Sequence, residues 1–302
     1  MKKSIDLTVI GDAMVDVVLP LSDIEDIGSL SRGGVTNTKM IISPGGAANV
    51  AYYVSRLGGH AAFTGRIGDD YYGRLFANDL EKHGITANIT VDADESTGVV
   101  HVLVFANGER FFIDDRGANA NLTYDDIDLE LVESSRFLYF LGYSSQDDKT
   151  IRNIIRVLDG ISEDTRVVFN PGAPNLATRF RQEFTDVIQK HVDILILNEA
   201  EARCLTQLDS DEEILASLLA MTDIIALTRG EPGSIVANKD ETHIIEAVPA
   251  EPVDTTGAGD AYSAGLIYGL CQGWDLRAAG EAASKIAGKV VTRLGARVDI
   301  SG

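Results

Sequence analysis

The segment best suited to chemistry is Asp254-Thr-Thr-Gly-Ala-Gly-Asp260. Its Gly257-Ala258-Gly259 run leaves backbone N–H groups open to an anion. A helical pattern follows, and the positive N-terminal end of that helix would face the same anion. Asp260, held ionised beside a bound phosphate, could accept the proton of an attacking hydroxyl. The alternative interpretation is structural, a glycine-rich turn with Asp260 as an ordinary helix N-cap.

Two further segments place polar side chains where a hydroxylated ligand could bind. Gly45 and Gly46 open a predicted helix that contains Asn49, and an asparagine side chain can both donate to and accept from sugar hydroxyls. Asp12 and Asp16 follow the first predicted strand, at the end where open α/β sheets bind ligands. Packing at a helix start and turn formation would explain the same residues without a ligand.

Oxygen ligands for a metal follow another buried strand. Asn198 and Glu201 come after the run Leu195-Ile-Leu197, and they could hold Mg²⁺ through water, because Mg²⁺ sheds its water reluctantly. A helix N-cap with acids in the first turn would explain them equally well. In a fifth segment a strand runs through Thr228 to Gly230, a sequence suited to phosphate contact or to a plain chain reversal.

The elements that must position these residues alternate along the chain. Apolar runs bounded by turn residues predict strands at 7–10, 61–67, 136–141, 166–170, 192–197 and 223–228. Helical spacing predicts helices at 45–57, 72–83, 148–158, 179–190, 200–205, 211–219, 259–270 and 276–291. This βαβα order predicts an α/β fold with one mostly parallel sheet covered by helices on both faces.

Two segments interrupt that order. Residues 35–42 and 97–114 have strand patterns, and Asn107-Gly108 between apolar runs is a strong hairpin signal. We expect a small antiparallel outgrowth, formed by segments of about 13–43 and 95–117, which would either cover a site as a lid or be a surface hairpin without a role. Neither an internal repeat nor a linker interrupts residues 1–302, so we expect a single domain.

Composition and net charge limit the binding partners and the cellular compartment that we expect for this protein. The 302 residues carry a formal net charge of -20, which disfavours nucleic acid and anionic membranes as partners. The sequence contains no apolar run of about 18 residues, so no membrane span is predicted. The chain starts like a signal peptide, but Asp6, Asp12 and Asp16 interrupt the apolar run that a signal peptide needs. Two cysteines, Cys204 and Cys271, suit a reducing cytoplasm. An ATP site in so acidic a chain must be made locally positive by backbone N–H groups and Mg²⁺.

Together these segments resemble the ribokinase-like, or PfkB, family of carbohydrate kinases, over nearly the whole chain and in the family's order. The matching motifs are 45–49 with 66–73 (first signature), 254–260 (second signature), Asn198 with Glu201 (Asn-x-x-Glu magnesium motif) and the tail at 291–297. The resemblance implies a three-layer α/β/α sandwich with a mostly parallel central sheet and a small β lid. It also implies an ATP-dependent phosphotransferase that acts on a primary hydroxyl of a small carbohydrate.

The resemblance also implies a role for each matching residue. The catalytic set would be Asp260 as the base, with the N–H groups of Gly257, Ala258 and Gly259 as an anion hole for the moving phosphoryl group. Sugar contacts would come from Asp12, Asp16, Gly45, Gly46 and Asn49. Mg²⁺ and ATP would be held by Asn198, Glu201 (to the metal through water), Thr228, Gly230 and Ala283. A monovalent cation, K⁺, is implied at Asp254, Thr256, Gly295 and Asp299.

The motifs specify the substrate less well than they specify the reaction. Ribokinases usually carry Gly-Lys-Gly-Ala-Asn where this chain has Gly45-Gly-Ala-Ala-Asn49, and this departure puts ribose itself in doubt. Arg110 and Arg116 would suit an acidic or phosphorylated sugar, or would pair with neighbouring acids. The rival functions are a nucleoside kinase, with Phe111 and Phe112 stacking on the base, and a non-catalytic sugar-binding regulator. A Rossmann oxidoreductase is disfavoured, because no Gly-x-Gly-x-x-Gly turn follows the first strand. In the family two lids often pack together, which implies a homodimer. A monomer is the alternative.

Overall fold

The fold is taken from a computed structural model, which describes residues 3–30, 39–107, 109–145 and 147–300. The strands, numbered along the chain, are β1 (Ile5–Ile10), β2 (Ala13–Leu21), β3 (Ile41–Gly46), β4 (Ala61–Gly68), β5 (Thr86–Asp92), β6 (Gly98–Phe105), β7 (Arg110–Asp115), β8 (Ser135–Leu141), β9 (Arg166–Asn170), β10 (Ile194–Asn198), β11 (Ile224–Thr228), β12 (Ser234–Asn238) and β13 (Thr242–Ile245). The helices are α1 (Ala48–Arg56), α2 (Tyr71–Lys82), α3 (Leu129–Glu133), α4 (Asp148–Gly160), α5 (Pro174–Arg179), α6 (Arg181–His191), α7 (Glu199–Thr206), α8 (Asp211–Leu219), α9 (Ala258–Cys271) and α10 (Leu276–Val290).

The larger sheet confirms the predicted mostly parallel α/β architecture. Its strand order is β13-β12-β11-β10-β9-β8-β1-β4-β5, and only the pairs β11–β12 and β12–β13 are antiparallel. The sequence did not predict β5, β12 or β13, which lie at or near the two edges. An edge strand has one strand neighbour and less cover, so it lacks the continuous apolar run that marks the central strands.

Alternation along each strand divides the core into two layers. Phe137 and Tyr139 of β8 pack into one core with α1, α2, α9 and α10, whereas Leu138 and Phe140 pack into the other with α3–α8. Helices therefore cover both faces, as the sequence predicted. In the part of the chain that the structure describes, no helix is both long enough and apolar enough to cross a bilayer.

The second sheet, which we call the small sheet, has the order β3-β2-β6-β7. Its outer pairs β2–β3 and β6–β7 are antiparallel, but the central pair β2–β6 is parallel, so the expectation of an antiparallel outgrowth is wrong for this pair. Because β2 follows β1 and β6 follows β5, both strands leave the carboxyl edge of the larger sheet in the same direction. Residues 35–38 of one predicted strand, and Gly108 of the predicted turn, lie outside the described residues.

Two local arrangements fix the small sheet over that edge. Gly45 and Gly46 end β3, paired with Met14 and Ala13, so α1 begins at Ala48 and not at Gly45 as predicted. The Asp70 carboxylate caps α2 by accepting the Gly73 N–H at 2.7 Å, and it also accepts the Thr97 N–H at 2.7 Å. This one side chain therefore ties the start of α2 to the residue that precedes β6.

Candidate active site

A cavity of about 670 Å³ lies between the carboxyl edge of the larger sheet and the small sheet. The parallel strands all end at this edge, which is where open α/β sheets bind ligands. Side chains that follow or end these strands line the cavity, among them Asp12, Asp16, Tyr143, Asn170, Asn198, Glu201 and Thr228. The fold therefore brings together residues that are up to 284 positions apart in sequence, counting from Asp12 to Ala296.

A second cavity of about 760 Å³ lies beside the first. Its walls are mostly apolar and come from the segment 247–252 and from α9 and α10. Thr228 and Gly259 line both cavities. Asp260 lines only the first cavity, so the two spaces meet at the glycine next to the candidate base.

The start of α9 shapes this junction. Gly257 is the N-cap and has φ of 78°, a left-handed conformation that glycine adopts at little cost. A Cβ at this position would also collide with the Ala296 carbonyl. Asp260 lies in the first helical turn and is not the N-cap, so the N-cap interpretation is wrong. In the first turn of α9 the Ala258 N–H donates to the Thr255 carbonyl at 3.3 Å. The remaining N–H groups of this turn and the helix dipole make the junction favourable for an anion.

Among the described residues the Asp260 side chain has one hydrogen-bond donor partner. Asn49 Nδ2 donates to Asp260 Oδ2 at 2.9 Å, and Arg297 Nε donates to Asn49 Oδ1 at 2.8 Å. Burial raises the pKa of Asp260 to about 6, against the opposing effects of the Asn49 hydrogen bond and the Arg297 charge. The carboxyl group is thus ionised at neutral pH and yet basic enough to take a proton.

Asp16 and Asp12 lie at the small-sheet end of the same cavity. Asp16 is packed against Gly45, where any Cβ would collide with its carboxyl group. Burial raises the pKa of Asp16 to about 7. Burial also raises the pKa of Asp12, although Arg116 and Ser144 oppose it. Carboxyl groups at this depth suit a ligand whose hydroxyls replace the lost water.

Asn198 and Glu201 form the capping box that the structural interpretation expected. The Asn198 side chain accepts from the Glu201 N–H, and Glu201 Oε2 accepts from the Asn198 N–H, both at 2.9 Å. Both residues also line the first cavity, so capping does not remove them from the site. Glu201 is only 4 % exposed, and burial raises its pKa to about 7.

These residues fit an indirect contact with Mg²⁺. Among the described residues no group of three or more His, Cys, Asp or Glu side chains could hold a metal ion. One buried carboxylate without a cationic partner is instead the donor set expected where phosphate and water supply the other ligands. The site therefore suits a magnesium ion that arrives with its nucleotide.

The residues expected at a monovalent cation do not form such a site. Asp254 Oδ1 accepts the Thr256 N–H at 2.8 Å, and Asp254 Oδ2 accepts the Gly295 N–H at 2.8 Å. The Arg110 guanidinium lies 3.1 Å from Asp254 Oδ1, whereas Asp299 pairs with Arg56 at the surface. A guanidinium therefore supplies the positive charge beside Asp254, and the residues present do not fit a K⁺ ion.

Both arginines that suggested an acidic substrate are paired with carboxylates. Arg110 reaches from β7 to Asp254 and also donates to Thr256 Oγ1 at 2.9 Å. Arg116 lies 3.3 Å from Asp12 and 3.4 Å from Asp147. The pairing alternative is thus confirmed for both, although Arg116 also lines the first cavity.

Thr228 and Gly230 line the second cavity, as expected of a nucleotide site. Ala283 does not, because it is fully buried between α10 and α9, where its backbone faces Gly265. The wall on this helix is formed by Ser284, Ala287 and Gly288. The helix itself was predicted correctly, but the residue that faces the cavity is Ser284 and not its neighbour Ala283.

Sequence reasoning missed several residues that line the first cavity or support it. Asn170 ends β9, Asn175 lies in α5 shortly after it, and Ser144 follows β8. The signal that could have found them is their position after the strand ends. Arg297 was part of a quoted motif, but only the folded chain brings it to Asn49.

Comparison with known proteins decides the family. A model described as pfkB family carbohydrate kinase matches residues 4–301. The chain belongs to the pfkB family of carbohydrate kinases.

Relatives in this family differ in substrate. The ribokinase of Bacillus subtilis is 30% identical over 296 residues, covering 97% of this chain and 94% of that protein. A fructokinase from Klebsiella pneumoniae is 30% identical over 270 residues, covering 87% and 83%. The crystal structure of an adenosine kinase from Sinorhizobium meliloti superimposes with a TM-score of 0.88 at 28% identity, covering 98% of this chain and 97% of that one. The pfkB assignment thus extends over the whole fold and leaves the acceptor open.

Proposed function

We propose that this protein transfers the γ-phosphate of ATP to a primary hydroxyl of an uncharged sugar. The observation that carries the proposal is the junction of the two cavities at Gly259, with Asp260 on the side of the first cavity. A nucleotide in the second cavity would present its terminal phosphate at this junction. An acceptor in the first cavity would present its hydroxyl to Asp260.

Asp260 acts as the general base. As the hydroxyl oxygen attacks the γ-phosphorus, its proton passes to the Asp260 carboxylate, and the bond from phosphorus to the β,γ-bridging oxygen breaks to release ADP. The Asn49 hydrogen bond holds one carboxylate oxygen, which leaves the other to receive the proton. A positioned base of this kind contributes about 10²–10⁴-fold in rate.

The N–H groups of Gly257, Ala258 and Gly259 form the anion hole. They lie at the start of α9, where the helix dipole adds partial positive charge. Donors of this kind stabilise the charge that develops on the transferred group because they are oriented before the reaction begins. Most of the catalysis in phosphoryl transfer comes from such positioning and charge stabilisation.

ATP occupies the second cavity, with Thr228 and Gly230 near its phosphates and with Ser284, Ala287 and Gly288 against its base. Glu201, through water, and Asn198 would orient the magnesium ion. When bound, Mg²⁺ neutralises charge on the phosphate oxygens. Among the described residues that line the two cavities, Arg116 is the one Lys or Arg, and it is already paired with carboxylates. This neutralisation therefore has to come with the magnesium ion of the nucleotide.

The acceptor is uncharged because the first cavity offers hydroxyl-binding groups, and the cation that lines it among the described residues, Arg116, is already paired with carboxylates. Asp12, Asp16 and Asn49 would bind its hydroxyls, with Gly45 and Gly46 allowing close approach. A phosphorylated or acidic sugar would meet Arg116 only by displacing Asp12 or Asp147. Placing an anion among unneutralised carboxylates costs several kcal/mol at short range.

A nucleoside is the second candidate acceptor. Phe112 and Tyr143 line the first cavity, and aromatic rings there could stack on a base. The similarity to the Sinorhizobium meliloti adenosine kinase supports the same possibility. The nucleoside would present its 5′ primary hydroxyl to Asp260, so the proposed chemistry does not change.

The small sheet, with its surrounding segments of about 13–43 and 95–117, acts as a lid within a single domain. Asp16, Phe112 and Asp114 face the cavity from it. Its other face exposes Phe111 and Ile113 at 42% and 53%, and burying these in a second copy would cover the edge and the apolar surface. We therefore propose a homodimer through the small sheet.

A coupled ADP-release assay tests the function and the substrate class together. The panel compares neutral pentoses and hexoses with sugar acids, sugar phosphates and nucleosides at equal concentration. We expect kcat/KM for the best neutral sugar to exceed that for its phosphorylated or acidic counterpart by at least about 10²-fold, since the charge penalty is several kcal/mol. Turnover restricted to nucleosides would select the second candidate, and a preference for anionic sugars would contradict the charge argument.

A further inference from the structure

Arg297 is a nearly buried arginine at the edge of the site. It follows α10, and its side chain is 6% exposed. Its guanidinium donates to Asn49 Oδ1 at 2.8 Å, pairs with the Asp79 carboxylate of α2 and lies 4.9 Å from the centre of the Tyr52 ring. A buried charge is costly unless its partners compensate for the lost water.

The chain holds this residue firmly on both sides. The Tyr53 hydroxyl donates to the Ala296 carbonyl at 2.8 Å and accepts the Val298 N–H at 3.1 Å. Both backbone neighbours of Arg297 are thus hydrogen-bonded to one side chain of α1, the helix that carries Asn49. The guanidinium and the Asn49 amide are therefore held relative to each other by the same helix.

This contact determines the orientation of the Asn49 amide. A guanidinium has donors only, so the amide oxygen of Asn49 must face Arg297. The amide nitrogen must then face the opposite direction, where it donates to Asp260 Oδ2 at 2.9 Å. If the amide were reversed, its oxygen would face the Asp260 carboxylate and its nitrogen would face the guanidinium, and both contacts would be repulsive.

We propose that Arg297 is a positioning residue for the phosphoryl transfer. It orients the Asn49 amide so that Asn49 holds one oxygen of the Asp260 carboxylate and leaves the other directed at the acceptor hydroxyl. The proposal rests on the proposed role of Asp260 as the base. It also makes Asn49 a donor toward the acceptor, because Arg297 engages its amide oxygen.

A purely structural role explains less well than a positioning role why this position carries a guanidinium. Among the described residues its Nη2 is buried without a hydrogen-bond partner, and an unsatisfied buried donor costs about 1–3 kcal/mol. An apolar side chain of similar volume could connect α1, α2 and the tail without that cost. Departures of this kind from the rules of packing concentrate at functional sites.

The arrangement has a consequence for pH. Arg297 and the Asn49 hydrogen bond both lower the pKa of Asp260, which burial raises. The other titratable groups that interact with Asp260 are Asp16 on β2, Tyr53 on α1, Tyr139 on β8 and Tyr143 after β8. The tyrosines are neutral near pH 7, and Asp16 opposes ionisation. Removal of Arg297 therefore raises the pKa of the base, and the acid limb of the rate profile moves to higher pH.

The test compares Arg297→Met with the matched control Arg293→Met, an exposed arginine of the same tail. For the best acceptor, kcat is measured from pH 5.5 to 9 by ADP release. We expect Arg297→Met to lower kcat by about 10–100-fold near pH 6, because misplaced reacting groups cost up to about 10²-fold. The loss should shrink as the pH rises, KM for ATP should stay unchanged, and Arg293→Met should match the wild type.

Two conservative variants separate positioning from folding. Arg297→Lys keeps the charge and one donor and should recover most of the activity, whereas Arg297→Gln keeps a donor without the charge and should still shift the acid limb. If Arg297→Met does not fold, the Arg297→Gln profile alone decides. An unshifted acid limb in Arg297→Met, or in Arg297→Gln where the Met variant does not fold, overturns the proposal. Asp260→Asn serves as the reference: if it retains activity, the base assignment has failed and the positioning argument fails with it.

Discussion

The two aspartates that bound the loop 254–260 have opposite surroundings. Asp254 accepts two backbone N–H groups and pairs with Arg110. Burial raises its pKa, but the hydrogen bonds from Thr256 and Gly295 and the Arg110 charge outweigh this, so the pKa lies below its ordinary value. Asp260 has one amide donor, and burial raises its pKa to about 6.

Within seven residues the loop therefore carries one carboxylate suited to structural support and one suited to accepting a proton. A carboxylate that is saturated with donors is a poor base, because its charged form is already stabilised. A carboxylate that has lost its water and has a single donor is a stronger base, because protonation relieves the cost of burial. The loop thus joins a fixed, charged anchor to the carboxylate that we propose as the base.

The largest expected effect is on turnover. Replacement of the base in Asp260→Asn should lower kcat by about 10²–10⁴-fold, because a positioned general base contributes that much. ATP binding, measured by calorimetry, should persist because the backbone of the anion hole is unchanged. A kcat within about threefold of wild type would remove Asp260 from the role of base.

An intermediate effect on stability is expected at the anchor. Asp254→Asn leaves Arg110 without its ion-pair partner and should lower the free energy of unfolding by about 1–3 kcal/mol. Because the folded-state pKa of Asp254 is lowered, its contribution is present above the unfolded pKa and disappears as the pH falls through the folded value. Urea unfolding at pH 7 measures the loss. An unchanged midpoint would show that Asp254 does not anchor the loop.

The smallest effect has the opposite sign. Asp260→Asn should raise the free energy of unfolding by about 1–2 kcal/mol at pH 8, since it removes a buried charge whose folded-state pKa is raised. At pH 5, below the folded-state pKa of about 6 but above the unfolded value near 3.8, the gain should be smaller than at pH 8. The same urea titration at the two pH values tests this. A variant that is destabilised at both would contradict the assigned burial cost.

Much of the architecture followed from local patterns. The central strands β9 and β11 and the helices α8 and α10 lie within about one residue of their predicted bounds, because their apolar periodicity and end signals agree. The edge strands β5 and β13 were missed because partly exposed strands lack the continuous apolar run of the central strands. The buried strand β12, which lies next to the edge, was missed as well. The parallel pairing of β2 with β6 was also missed, since pairing between segments so distant in sequence depends on where the larger sheet directs them.

The candidate site likewise contains residues that the sequence could identify and residues whose contacts only the fold could show. Residue types and spacing identified Asp260, its glycines, Asn49, Asn198 and Glu201, because an anion site at a helix start and a capping box are local arrangements. Local sequence could not assign Ala283 to the packed side of α10, since neighbouring helices decide which residues of a mostly small-residue helix face a cavity. It also could not decide whether Arg110 and Arg116 meet a substrate or a carboxylate.

The sequence by itself therefore determined the family and the mostly parallel architecture and indicated a candidate phosphate-binding loop, because those features depend on short motifs and on apolar periodicity. Only the tertiary structure decided the partners of charged side chains that are far apart in the chain. It paired Arg110 with Asp254, Arg116 with Asp12, and Arg297 with Asn49. Charges interact through distance in space, and a long arginine side chain can reach several acids, so only the folded geometry determines which of them it meets.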